Sequence, residues 1–231
     1  MAQRHKVKMQ ISYDGSDFQG FQRQGLETPT IQGELELALS QILDEPISVV
    51  GCGRTDAGVH ATEYFIHFWT HKNPENYNLV YAINGPLTSP AIAAQNAWIA
   101  PDEFHALSSH RKTYKYLIYN ASTPSPFKQR YATYDRRPIN LKSLNELTQE
   151  ILGEHDFTSF QTSGTDSKTT FKTFLTPIGP HPRKTIYFTI TGDGFLRQMV
   201  RNIVGTPIFD RNGHGPGNGS RNPCRQGSAG R

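Results

Sequence analysis

Ile47-Ser48-Val49-Val50-Gly51-Cys52-Gly53-Arg54-Thr55-Asp56-Ala57-Gly58-Val59-His60 passes from a β-branched run into a glycine-rich loop. A second β segment follows at once, with Phe65, His67 and Trp69 alternating against Tyr64, Ile66 and Phe68. The stretch is therefore a loop joining two strands. Upstream, Val7, Met9 and Ile11 alternate with Lys8, Gln10 and Ser12 before the turn signal Asp14-Gly15, which predicts a half-buried strand over Val7 to Tyr13. Thr28-Pro29-Thr30 then starts a helix, with Ile31, Leu35, Ala38, Leu39 and Ile42 at helical spacing, ending near Asp44-Glu45-Pro46. Downstream, Asn76 to Ile83 reads as a short helix and Ala91 to Ile99 as a strand. The resulting β-α-β-α-β order is the ferredoxin-like pattern, a sheet with helices on one face.

Pro101-Asp102-Glu103 marks the expected boundary, giving an N-terminal domain over 1–103 and a second over 104–206. The second half opens with a strand at Thr113 to Tyr119 and passes a Pro/Ser loop. It continues with a helix from Leu141 to Leu152 and strands at Lys172 to Ile178 and Thr185 to Thr191. Phe195 to Val204 reads as one apolar helical face, with Arg197 and Arg201 four apart on the other. The fold class is α+β, built from two ferredoxin-like α/β sandwich halves. Beyond Gly205 the pattern stops: Phe209 to Arg231 holds six Gly, four Arg and three Asn, a composition too poor in apolar residues to offset its ordering entropy. Residues 207–231 are expected to be a disordered tail.

The chain has 231 residues, 35% of them apolar, enough for two domains of roughly 100 residues. Its two cysteines, Cys52 and Cys224, form no Cys-x-x-Cys pair, so neither a disulfide framework nor a structural zinc site is indicated and a reducing cytoplasm fits. No window approaches the apolar length needed to cross a bilayer, and no apolar leader follows Met1 to Lys8. The net charge of +4 invites a polyanionic partner, but +3 of it lies in residues 209–231. Placement of charge matters more than the total.

Asp56 sits among Gly51, Gly53 and Gly58, where backbone can turn sharply or approach a ligand closely. A lone aspartate in a turn is ordinarily an Asx-turn or a cap, and Arg54 two residues earlier is ordinarily a plain ion-pair partner. In extended chain both side chains project to one side.

The wider sequence decides between these readings. Tyr13-Asp14-Gly15, Phe18-x-Gly20-Phe21-Gln22-Arg23-Gln24, Thr30-Ile31-Gln32-Gly33 and Gly53-Arg54-Thr55-Asp56-Ala57-Gly58-Val59-His60-Ala61 together resemble the TruA-type tRNA pseudouridine synthases. Phe104-His105-Ala106, Lys112-Thr113-Tyr114-Lys115-Tyr116, His155-Asp156-Phe157-Thr158-Ser159-Phe160 and Phe195-Leu196-Arg197-Gln198-Met199-Val200-Arg201-Asn202-Ile203-Val204-Gly205 follow in family order, so the resemblance covers residue 7 to about 206.

That resemblance implies a pseudouridine-synthase-type fold with a catalytic cleft between the halves, and isomerisation of uridine to pseudouridine in the anticodon stem-loop of tRNA. The reaction needs no cofactor and no metal. Asp56 matches the essential aspartate, Arg54 the position associated with base flipping, Tyr114 the aromatic that stacks on the target base and Arg201 the cation that pairs with the aspartate. A neighbouring cation favours the charged carboxylate. His60, His105, Arg111 and Lys168, with Arg23 and Lys112 behind them, are the further candidates for tRNA contacts, where phosphate-binding side chains position a structured RNA without reading its sequence. The implied state is a cytoplasmic homodimer with tRNA as partner and no membrane association.

The chain departs from the family pattern in three places. Leu107 stands where Arg is common after Phe-His-Ala, and Asn84-Gly85-Pro86-Leu87-Thr88 replaces the more usual Asn-x-x-Leu-Pro. Thr206-Pro207 is followed by the Gly/Asn/Arg-rich tail instead of a further helical segment and a closing strand, which reads as a frame shift or truncation near that point. A non-catalytic RNA-binding module and an inactive truncated family member are the alternative readings.

Overall fold

The computed structural model describes residues 3–25, 27–109, 111–149, 153–156, 171–174, 178–181, 184–195 and 198–209. The chain divides into two compact units, Met1–Ser109 and His110–Arg231. Lys168, Arg197 and residues 210–231 lie outside the described residues, as does the Phe157-Thr158-Ser159-Phe160 part of the motif that begins at His155.

In the first unit, β1 (His5–Tyr13) pairs antiparallel with β3 (Ala61–Thr70) on one side and with β4 (Ile92–Ala100) on the other. The short β2 (Val50–Gly51) pairs with β3, so the sheet order is β2-β3-β1-β4, the ferredoxin-like arrangement. Period-2 alternation turns Val7, Met9, Ile11 and Tyr13 of β1, and Tyr64, Ile66 and Phe68 of β3, into one buried face. Helix α1 (Ile31–Leu43) covers that face with Ile31, Leu35, Ala38, Leu39 and Leu43, and α2 (Leu79–Asn84) adds Leu79 and Ile83.

Both ends of α1 follow from the sequence. The Thr30 hydroxyl accepts from the Gly33 amide at 3.3 Å, and Asp44 in the left-handed region (φ 51°) stops the helix. Glu36 is buried on this helix because its carboxylate accepts hydrogen bonds from the Val49 amide, Gln32 and Arg23 at 3.0–3.1 Å. The segment expected to be one helix over Asn76 to Ile83 is instead a 3-10 turn at Pro74–Asn76 followed by α2. Asn78 caps α2 by accepting from the Tyr81 amide at 3.1 Å and so sets its start.

Phe104 to Ser108 pack on the first sheet. The Lys6 ammonium donates to the backbone carbonyls of Asp102 and Phe104, and the Ala106 amide donates to His67 Nδ1 at 3.2 Å. His67 shares a face of β3 with Phe65 and Trp69. This segment buries it, and desolvation, with the neighbouring His105 and the Lys6 charge, pushes its pKa down to about 4.

In the second unit, β5 (Lys112–Asn120) pairs antiparallel with β10 (Thr185–Gly192) and parallel with the short β6 (Thr133–Asp135). β9 (Ile178–His181) flanks β10, giving the order β6-β5-β10-β9. Helix α3 (Leu141–Gln149) precedes a separate two-stranded pair, β7 (Gly153–Asp156) with β8 (Phe171–Phe174). The single strand expected over Lys172 to Ile178 is thus two, β8 and β9.

Helix α4 spans Met199–Phe209, starting later and ending later than the expected Phe195 to Val204. Gln198 has φ 57°, a left-handed residue immediately before the helix, so Phe195 lies outside α4. Met199, Ile203 and Val204 pack with Ile118, Ile186, Phe188 and Ile190 into the second core. No helix among the described residues is long and apolar enough to cross a membrane.

Candidate active site

Asp56 lies half-buried in the loop joining β2 to β3, and that loop is fastened along its length to the segment following β1. The Phe21 amide donates to the Thr55 carbonyl at 3.1 Å, the Gly58 amide to the Phe18 carbonyl at 3.3 Å, and the Tyr13 and Thr55 hydroxyls meet at 2.9 Å. Tyr64 lies under the loop entrance: its hydroxyl accepts from the Gly53 amide at 3.3 Å and donates to the Gly53 carbonyl. Phe21 and Tyr13 pack against the same tyrosine, with ring centroids 4.7 and 5.5 Å away.

The second segment is itself anchored to α1. The Ile31 and Gln32 amides, two of the donors that a helix start leaves unpaired, bond the carbonyls of Gly20 and Phe21 at 3.3 and 2.9 Å. Thr55 is turned inward to Tyr13, while Arg54 before it is exposed and Asp56 after it is half-buried. Among the described residues of its own unit, the Asp56 carboxylate has no hydrogen-bond or ion-pair partner, so its oxygens stand ready for a ligand.

Two glycines make the apposition possible. A Cβ on Gly15 would stand 2.0 Å from the Val59 carbonyl oxygen. One on Gly20, whose φ of +102° no other residue adopts without strain, would stand 2.6 Å from the Thr55 carbonyl oxygen. The Asp14-Gly15 and Gly20-Phe21 motifs thus exist to let one backbone lie against the other.

His60 closes the loop. Its Nδ1 is 2.9 Å from Asp14 Oδ1 and 3.2 Å from the Gly15 amide nitrogen, so the ring ties the start of β3 to the end of β1. Asp14 Oδ1 also accepts from the Ser16 amide at 2.9 Å. Sequence reasoning placed His60 among the RNA contacts and did not see this brace; Asp14-Gly15 preceding the motif was its only trace.

The other candidates divide between the two units. His105 is exposed beside His67, ring centroids 4.8 Å apart. Arg23 is held by Glu36 at 3.0 Å, and Leu107 is exposed. In the second unit, Arg111 is exposed and Lys112 half-buried at the start of β5. Tyr114 stands on β5 opposite Ile190, its ring meeting that of Phe195 edge-on at 4.9 Å.

Arg201, on the first turn of α4, lines a small pocket with Tyr116, Ile118, Thr133, Asp135, Val204 and Gly205. The floor is braced by the Tyr116–Thr133 hydroxyl contact at 2.7 Å and by the fork of Arg137 on Asp135, with Nη2 2.6 Å from Oδ2. The Arg137 hydrogen bonds hold the Asp135 carboxyl below its ordinary range despite its burial. Among the described residues no group of three His, Cys, Asp or Glu side chains is gathered as a metal would require.

A family model described as tRNA pseudouridine synthase matches residues 147–223. A tRNA pseudouridine synthase A from Bdellovibrio bacteriovorus is 44% identical over 218 residues, covering 91% of this chain and 83% of that protein. A tRNA pseudouridine synthase A from Brachyspira hyodysenteriae is 37% identical over 206 residues, covering 88% and 82%. A tRNA pseudouridine synthase A 2 from Bacillus cereus is 34% identical over 205 residues, covering 88% and 83%.

Proposed function

We propose that this chain, which belongs to the tRNA pseudouridine synthase family, isomerises uridine to pseudouridine in the anticodon stem-loop of tRNA with Asp56 as its nucleophile. The observation that carries the assignment of Asp56 is the double-stranded clamp around it: two backbone segments locked together hold one half-buried carboxylate with no competing partner in its own unit.

The chemistry breaks the N1–C1′ glycosidic bond, turns the base, joins C5 to C1′, removes the proton from C5 and leaves one on N1. Atoms and electrons balance within the substrate, so no co-reactant is consumed. A carboxylate serves this by covalent attack on the sugar or the base, or as the base that takes the C5 proton. The target nucleotide must leave its stack to be reached. Arg54, exposed next to the clamp, suits that step because a guanidinium both stacks and binds phosphate. Tyr114 is assigned the stacking contact with the base, and Arg201 the cation that keeps Asp56 ionised. His105, Arg111 and Lys168 are assigned tRNA phosphate contacts; His60 supports the site through Asp14. The chain acts as a cytoplasmic homodimer on this reading.

Tritium release from tRNA carrying C5-labelled uridine tests it. Asp56→Asn is expected to abolish release while tRNA binding persists. Undiminished release in that variant would overturn the assignment, and tRNA binding without release in the unsubstituted chain would favour a non-catalytic RNA-binding protein.

A further inference from the structure

The face of the first sheet turned away from its helices carries a column of cations set among aromatic rings. Arg4, Lys6 and Lys8 alternate on and just before β1, at two-residue intervals of about 7 Å. Lys8 Nζ lies 4.6 Å from the Phe65 ring centre, 5.1 Å from Trp98 and 5.4 Å from Phe104. Lys6 Nζ and Arg4 Cζ lie 4.7 and 5.0 Å from the Trp69 ring.

The three cations are not equivalent. Lys6 is buried and its ammonium is used on the carbonyls of Asp102 and Phe104, so it is structural. Arg4 is exposed and Lys8 half-buried, and no described carboxylate pairs with either. Trp98 on β4 is 45% exposed, a large ring left open to solvent beside Lys8. Glu63 is the one acid on this side of β3, near the end of the strand that carries the Asp56 loop.

A Lys ammonium held over rings keeps donors directed outward, and an unpaired cation next to an open aromatic plane is the combination that binds a phosphate and stacks its base. A four-stranded antiparallel sheet with an exposed ring on the part of this face that Phe104 to Ser108 leave uncovered is a platform for unpaired nucleotides.

We propose that this face is a second RNA-contact surface, separate from the Asp56 loop, on which Arg4 and Lys8 bind phosphates and Trp98 stacks an unpaired base of the tRNA substrate. The proposal rests on the functional reading above. A protein partner is disfavoured because the surface combines uncompensated positive charge with aromatic planes.

The chain has two tryptophans, Trp69 and Trp98, so Trp69→Phe leaves Trp98 as the sole reporter. Titrating that variant, carrying Asp56→Asn as well, with unmodified tRNA is expected to quench Trp98 emission saturably. Trp98→Ala is expected to weaken tRNA binding about tenfold. Arg4→Gln with Lys8→Gln is expected to lower the slope of log affinity against log salt by about 1.5, two phosphate contacts' worth.

Unchanged Trp98 emission at saturating tRNA together with an unchanged salt slope would overturn the proposal and leave the catalytic reading standing. A sedimentation change in the double glutamine variant with tRNA binding intact would assign the face to a second copy of the chain and equally overturn it. Failure of the unsubstituted chain to bind tRNA at all would overturn both readings.

Discussion

The first unit carries Asp56, the proposed nucleophile, on a loop, whereas the second carries the proposed site residues Tyr114 on a strand and Arg201 on a helix. A loop has no ladder of its own, so the first unit holds Asp56 with a partner loop, two glycines, a histidine brace and three buried rings. A strand and a helix are held by their own hydrogen bonds, and the second unit needs only ordinary packing around its two residues. The sheets invite the same comparison. β9-β10-β5 repeats the arrangement of β2-β3-β1, but the fourth position is taken in one case by the nine-residue antiparallel β4 and in the other by the three-residue parallel β6. Precision in the first unit therefore depends on backbone apposition, and in the second on side-chain contacts.

Gly20→Ala should show the contrast at its strongest. A left-handed φ with a Cβ 2.6 Å from the Thr55 oxygen is expected to cost about 3 kcal/mol. Displacing Asp56 is expected to lower kcat about 100-fold, read by tritium release beside a thermal melt. Lys115→Ala, next to Tyr114 on β5, is expected to cost less than about 1 kcal/mol, since it loses only an exposed contact to the Tyr187 ring. Equal losses in the two variants would erase the distinction.

Acid should act on the first unit through His67. With the ring held neutral to about pH 4 in the fold but titrating near 6.5 when unfolded, the unfolded chain binds the extra proton between those values. Stability from this group is therefore present above pH 6.5 and falls as pH drops toward 4, by about 3 kcal/mol in all. Denaturant titrations monitored by tryptophan emission report this unit, which holds both tryptophans. His67→Asn is expected to flatten the profile; an unchanged profile would place the acid sensitivity elsewhere.

His60→Ala releases the Asp14 brace and is expected to cost about 1 kcal/mol and lower kcat five- to tenfold, with His60→Gln partly restoring both. A smaller effect on turnover is expected from Phe195→Leu. It removes the edge contact with Tyr114, worth about 1 kcal/mol, and should raise KM for tRNA a few-fold while kcat holds. A kcat loss exceeding that of His60→Ala would show that Tyr114 is positioned as tightly as Asp56.

Strand β1, helix α1 and the β2–β3 loop are legible in the sequence because each spans enough residues for its period to show, or carries a cap or a glycine whose geometry is forced. β4 is legible to within one residue, whereas β6 is not, since three residues cannot display alternation. The burial of His67 depends on Phe104 to Ala106 folding back over β3, a contact that no local pattern announces. Likewise Asp56 could be located from its motif, but the brace between His60 and Asp14 joins residues 46 positions apart and emerges only once β1 and β3 are neighbours.

The place of β1 in the first sheet also bears on how the chain is made. It leaves the ribosome before the other strands of this sheet, yet it lies between β3 and β4, and Lys6 at its start is fixed to carbonyls at positions 102 and 104. At ordinary elongation rates the nascent strand waits roughly 5–20 s for its last partner. Until β3 emerges this alternating apolar strand has neither neighbour, and until β4 emerges one of its edges stays unpaired, with Lys6 and Lys8 keeping its other face charged.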